Sequence, residues 1–279
     1  MKKKNIPLSI LKYFFLIVLS FLSIFPFFWM IVSATNNARE VNVGKLTFGP
    51  HLAENLGNLF HSDLSFGISL GNSAMIAAVT TVLALLLSSV AGYGFEIFHS
   101  KARDRVFNIL LLSMMMPFCA LMIPLYRMFS MAGRAGLRGI GLNTMFSVIA
   151  PYICTAFLIF FFRQNTKSFP KDILEAARMD GLNEPGVFIH MYMPVMRPTY
   201  AAGAIITFMT SWNNYLWPLV ALQEPQKRTV PLILSAMGSS YTPNYGMIMA
   251  GIVIATLPTG FLFFVMQKQF VAGIIGSVK

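Results

Sequence analysis

The stretch Glu175-Ala-Ala-Arg-Met-Asp-Gly181 sets one carboxylate beside two side chains too small to cover a helix backbone. That pattern suits docking rather than catalysis: a second protein can approach the bare backbone closely and offer Arg or Lys to Glu175. The flanks predict two short helices. Ser168 is placed to cap the first and Pro170 to open it. Leu174, Glu175, Ala176, Ala177, Arg178 and Met179 are good helix formers, and Gly181 stops the helix through the left-handed conformation glycine adopts freely. Asn183 can cap a second helix through Glu184, Pro185 and His190, which Pro194 and Pro198 would end. On the first helix Ile173, Ala176, Ala177 and Asp180 share a face by spacings of three and four. A plainer reading fits the same residues: a solvated linker in which Glu175 faces Lys171 and Arg178 of its own helix.

A second cluster is Trp212, Asn213, Asn214 and Tyr215. Aromatic faces stack on sugar rings and carboxamides bond hydroxyls, so a sugar path could use them. The plainer reading, which weighs more, has Trp212 and Trp217 pack between helices and Asn213 and Asn214 bond neighbouring backbones. Other chemistry is missing. The four His residues (His51, His61, His99 and His190) lie in four places, so no metal site is expected. Cys119 and Cys154 fall in apolar runs, which excludes a disulfide scaffold and predicts two small buried hydrophobes. No Gly-x-x-x-x-Gly-Lys-Ser/Thr is present to cradle a nucleotide phosphate.

The elements that must position these groups are apolar runs. Of the 279 residues 56% are hydrophobic and 11% charged, where a soluble domain carries about a quarter charged. Mean hydropathy is +0.66. The chain reads as all-α and polytopic, with six spans at about 13–34, 66–95, 106–126, 142–162, 199–222 and 246–266. A tail of residues 1–12 precedes the membrane domain 13–267, a loop at 163–198 joins the fourth and fifth spans, and 268–279 forms a second tail. Val32-Ser-Ala34 loosely resembles a signal cleavage site, but the first apolar run exceeds a signal core, so it is expected to be retained.

Net charge is +11. The basic residues are scattered through the connections and not gathered on a soluble face, which speaks against nucleic acid. Fourteen of the 21 (Lys2, Lys3, Lys4, Lys12, Lys101, Arg103, Arg105, Arg163, Lys167, Lys171, Arg178, Arg197, Lys268 and Lys279) fall on one side of this topology. The positive-inside rule therefore places both termini and the 163–198 loop in the cytoplasm. None of the six runs contains Asp, Glu, Lys, Arg or His. A proton-coupled carrier or an intramembrane hydrolase would need them. If the chain moves solute actively, energy must arrive from another protein, through the 163–198 loop.

The Glu-Ala-Ala motif, Gly181 after three intervening residues, and Met191-Tyr-Met-Pro194 after nine more resemble the signature loop of permease subunits of binding-protein-dependent ABC importers. Met191 and Met193 stand where that family usually has Ile and Leu. Pro26-Phe-Phe-Trp-Met30, Trp212-Asn-Asn-Tyr-Leu-Trp-Pro218 and Ala272-Gly-Ile-Ile-Gly-Ser-Val-Lys279 are similar to the carbohydrate, maltose-type branch. The resemblance implies a cytoplasmic coupling helix docking into an ATPase through Glu175, Ala176, Ala177, Asp180, Gly181 and Pro194. It implies Gly238, Ser239, Ser240 and Tyr241 as the tip that meets an extracytoplasmic sugar-binding protein. It further implies a second homologous permease, two ABC ATPase subunits that carry the ATP and Mg, no cofactor on this chain, and a bacterial or archaeal inner membrane. The expected role is sugar import by a non-enzymatic permease subunit. The rival is an ion-coupled secondary carrier acting alone.

Overall fold

The computed structural model describes residues 6–275, with side chains from 9 to 268. Lys2, Lys3 and Lys4 and the last residues, Gly276 to Lys279, lie outside the described residues. Every regular element among the described residues is helical. Three helices are long and apolar enough to cross a bilayer: Ser9–Ala34, Phe66–Ile97 and Tyr245–Lys268.

Two further pairs reach that length only as bent elements. Lys101–Ser113 meets Phe118–Arg134 at 100°, and Met145–Tyr152 meets Ala156–Thr166 at 41°. The first break runs into Pro117, whose ring drives the preceding residue out of helical conformation. The second ends at Thr155, whose hydroxyl caps the next helix by accepting from the Leu158 amide. The expected runs 106–126 and 142–162 each contain one of these bends. The run 199–222 is likewise divided, into Arg197–Trp212 and Leu216–Ala221.

The chain divides into two compact units, Met1–Phe66 with Ile233–Leu257, and Gly67–Leu232 with Pro258–Lys279. In the first, two buried carboxamides fasten the chain that follows the first helix. The Asn36 side chain donates to Val32 O and Thr47 O, both at 2.9 Å. That of Asn55 donates to Ala34 O and Asn36 O, also at 2.9 Å. Gly246 begins the last helix directly against the Asn36 carbonyl and the Asn55 amide, where a Cβ would collide with both. The first helix itself is clad in exposed apolar side chains: Phe14 is 65% exposed and Ile17 66%. Such a surface requires an apolar surrounding, which lipid provides.

In the second unit Trp217 is fully buried among Ile76, Phe129, Val148 and Leu222. Its indole N–H donates to Ser147 O at 2.7 Å, so burial leaves no polar atom unpaired. Gly92 lets the Phe66–Ile97 helix press on the backbone of Phe162 and Arg163, where a Cβ would stand 2.6 Å from Phe162 Cβ. Arg163 is almost buried, and its charge is met by Glu96 at 3.3 Å and Asp104 at 2.6 Å. The Phe107 ring covers the guanidinium at 4.1 Å. From the Phe66–Ile97 helix, Asn72 donates to the carbonyls of Gln226 and Arg228, and Ser73 accepts from the Val230 amide at 2.9 Å.

The cysteines depart from expectation. Cys119 and Cys154 are both exposed. Around an apolar helix in a membrane, an apolar side chain gains as much from facing lipid as from facing another helix, so its chemistry does not fix its side.

Replacing Trp217 with Ala removes the largest fully buried side chain among the described residues and, with it, the indole donor to the Ser147 carbonyl. The expected cost is about 3–5 kcal/mol, read as a lowered thermal midpoint of the purified protein in detergent.

Candidate docking site

The helix Lys171–Met179 opens at Pro170 with no side-chain cap. Ser168, expected as the cap, donates instead to Asn165 O at 2.8 Å, because the preceding helix ends in a turn that takes its hydroxyl back. The other end follows expectation. Gly181 has φ +85. Its amide donates to Arg178 O and that of Leu182 to Ala177 O, both at 3.1 Å, which is the Schellman arrangement. Asn183 caps the next helix by accepting from the Gly186 amide at 2.9 Å.

Pro194 does not end that second helix. Glu184–Val187 continues through a π turn over Phe188–Tyr192 into Met193–Val195. The wider turn pairs the Met193 amide with Phe188 O, five residues back. That relaxes the ladder just where proline lacks a donor and its ring would strike the carbonyl of a tighter turn. Pro198 opens the following helix, Arg197–Trp212, instead of closing this one.

The inner face of the Lys171–Met179 helix is fixed by aromatic packing. Leu174 and Ala177 are buried with Tyr93, Phe169, Val187, Tyr192 and Met196, and Ile173 and Leu182 pack against them. Tyr93 meets Tyr192 edge-on at 4.9 Å and Phe188 at 5.3 Å. Tyr192 is fully buried, and burial pushes its phenol above the usual tyrosine range. Thr166 donates to Phe162 O at 2.7 Å, so it is the Thr166 oxygen that receives the Tyr192 hydroxyl at 2.6 Å.

This packing corrects the expected docking face. Ala177 lies on the inner face with Leu174, and Ile173 is half-buried. The free stripe is Asp172, Glu175, Ala176 and Met179, at spacings of three, four and seven. Asp180 and Gly181 are exposed at its end and Pro194 is exposed on the second helix. Met179 is 88% exposed, an apolar knob with nothing of this chain over it.

Nor does Glu175 pair within its own helix. The Arg178 guanidinium donates instead to both oxygens of Glu184, at 2.7 and 3.3 Å, across the Gly181 turn. The Tyr93 hydroxyl donates to the same carboxylate at 3.1 Å. Glu184 therefore ties the two short helices to each other and to the long one, and these donors, Arg178 foremost, hold its carboxyl below the usual range. Glu184 is a site residue that spacing alone hides, since its partners stand six and ninety-one positions away.

The other predicted groups fall elsewhere. Trp212 is buried and stacks on Phe208 at 5.7 Å. The Asn213 amide donates to Met209 O at 2.9 Å and closes the helix, whereas Asn214 meets the Tyr152 hydroxyl. Tyr215 packs on the Trp217 core. Gly238 ends the helix Val230–Gly238, and it and the Ser239, Ser240 and Tyr241 that follow are all exposed, with Tyr241 projecting fully.

Residues 84–276 match a family model described as binding-protein-dependent transport system inner membrane component. The chain is 48% identical to the lactose transport system permease protein of Rhizobium radiobacter, over 99% of this chain and 98% of that one. It is 36% identical to the arabinooligosaccharides transport system permease protein of Bacillus subtilis (strain 168), over 95% of this chain and 94% of the relative. Its fold is shared with a crystal structure of a bacterial ABC transporter involved in the import of the acidic polysaccharide alginate. The TM-score is 0.83 at 21% identity, covering 97% of this chain and 99% of that one.

Because Glu184 is held in its ionised form, its pairing stabilises the loop fully above the ordinary glutamate value of about 4.3 and is lost as pH falls through the lowered value in the fold. Amide exchange of residues 179–186, corrected for intrinsic rates, should quicken on acidification below that range. In Glu184→Gln it should already be fast at neutral pH.

Proposed function

Because the chain belongs to the family of binding-protein-dependent transport system inner membrane components, we propose that it is the membrane-spanning permease subunit of an ATP-driven importer for a sugar. The similarity along nearly the whole chain to a lactose permease is the observation that carries this reading. The relatives are transport permeases, not enzymes. A sugar-loaded extracytoplasmic binding protein delivers the solute to the outer surface, where Gly238, Ser239, Ser240 and Tyr241 form an exposed tip. A second, homologous permease completes the pathway. Two ABC ATPase subunits bind ATP and Mg, and the chain carries no cofactor of its own. Both termini and the 163–198 loop lie in the cytoplasm.

The ATPase docks on the stripe Asp172, Glu175, Ala176 and Met179. A carboxylate in no ion pair among the described residues, a bare backbone and a fully projecting thioether together suit a cleft with a cation at its rim and an apolar floor. Nucleotide-driven closure of the ATPase pair moves this helix, and the packing around Tyr93 passes the motion to the Phe66–Ile97 helix.

Glu175→Arg and Ala176→Trp should each lower sugar uptake about tenfold or more, with loss of the ATPase on co-purification. Ser168→Ala, outside the stripe, should do neither. Uptake and assembly surviving both stripe variants would remove the docking assignment. The rival, a carrier working alone, is checked separately: the purified single chain in liposomes should accumulate no lactose under a proton or sodium gradient.

A further inference from the structure

We infer that a cavity in the second unit, bounded by Thr80, Tyr152, Phe157, Thr207 and Ser211, binds one uncharged saccharide ring of the transported solute. The inference rests on the permease reading above. It adds that this chain holds the sugar itself, and with which groups.

The cavity has a volume of about 230 Å³. Three segments line it: the Phe66–Ile97 helix, the turn before Ala156–Thr166 with that helix's first residues, and the Arg197–Trp212 helix. The last presents Ile206, Thr207, Thr210 and Ser211, a single face by helical spacing.

Thr80 is wholly buried, and its hydroxyl has no hydrogen-bond partner. An unpaired buried hydroxyl is costly, and a ligand in the cavity would relieve it. The neighbouring hydroxyls divide their roles. Thr210 donates to Ile206 O at 2.7 Å, so it faces the cavity as an acceptor. Thr155 accepts from the Leu158 amide at 3.4 Å and keeps its proton to donate. Sugar hydroxyls need this mixture, since each both gives and takes a hydrogen bond. Tyr152 and Phe157 add two aromatic rings to the lining, a side-chain type that packs on the C–H side of a pyranose or furanose.

Charge sets the class. Among the described residues that line the cavity none is Lys, Arg, His, Asp or Glu. A uronate or a sugar phosphate here would be buried without a counter-charge. The volume lies below the roughly 300–1,000 Å³ of sites for drug-sized ligands, so the cavity holds a single ring at a time. A lipid acyl chain would use the apolar wall and leave the hydroxyls unserved.

The test uses the full complex, with partner permease, ATPase and binding protein, in proteoliposomes supplied with radiolabelled lactose. Samples are matched for assembled complex by co-purification. Thr80→Val keeps the shape and deletes the hydroxyl; Thr80→Ser keeps the hydroxyl. Uptake at subsaturating lactose should fall about three- to tenfold in Thr80→Val and Thr207→Val, and stay close to the parent in Thr80→Ser. Should the valine variants not assemble, Ser211→Ala, at a half-buried position, carries the same expectation. Parental uptake in the hydroxyl-deleted variants overturns the inference and assigns the cavity to helix packing or lipid. An unaltered complex that hydrolyses ATP yet accumulates no member of a panel of labelled mono-, di- and oligosaccharides, lactose included, overturns the permease reading instead.

Discussion

The edge-on contacts of Tyr93 with Tyr192 and Phe188 decide the form of the 163–198 loop. The Lys171–Met179 helix has nine residues, and isolated helices shorter than about 12–15 are marginal in water. Its order comes from packing. Two aromatic pairs contribute about 0.5–1.5 kcal/mol each beyond the area they bury, and Glu184 adds a charged clamp to the same tyrosine. The outward stripe can therefore be small and sparse without the helix losing its place. Small outward residues and a heavily bonded inward face are two halves of one arrangement.

Local chemistry was legible and distant partners were not. Gly181 and Asn183 act where they stand, and their roles follow from residue type. Ala176 and Ala177 are the same residue side by side, and the cluster of Tyr93, Phe169, Val187, Tyr192 and Met196, all outside their helix, determines which one is buried. Pro194 reads as a stop because sequence shows the missing donor and hides the π turn that makes the donor unnecessary. Arg178 has a carboxylate in its own helix at helical spacing, yet pairs across a glycine turn whose geometry brings Glu184 closer. Thr80, Thr207 and Ser211 are lost among apolar neighbours, because a hydroxyl in such a run usually bonds its own helix, as Thr210 does.

Neutral polar groups do much of the fastening that charges do in soluble proteins. Asn36 and Asn55 hold one chain reversal, and Asn72 with Ser73 holds another. Asn143, itself at φ 59, accepts from the amides of Gln223 and Glu224. A carboxamide carries two donors and an acceptor with no net charge, so it can satisfy backbone groups near hydrocarbon without the desolvation cost of an ion. Arg163 is the charge buried among the described residues, and two carboxylates and a ring attend it.

The exposed first helix bears on how the protein is made. Phe14, Ile17 and their neighbours draw almost nothing from the rest of the chain, so their free energy comes from the surrounding hydrocarbon. Such a segment is stable across a bilayer before any later part has been synthesised. It can hold its place in the hydrocarbon as an independent anchor, and the helices that follow it can assemble beside a segment already set across the bilayer.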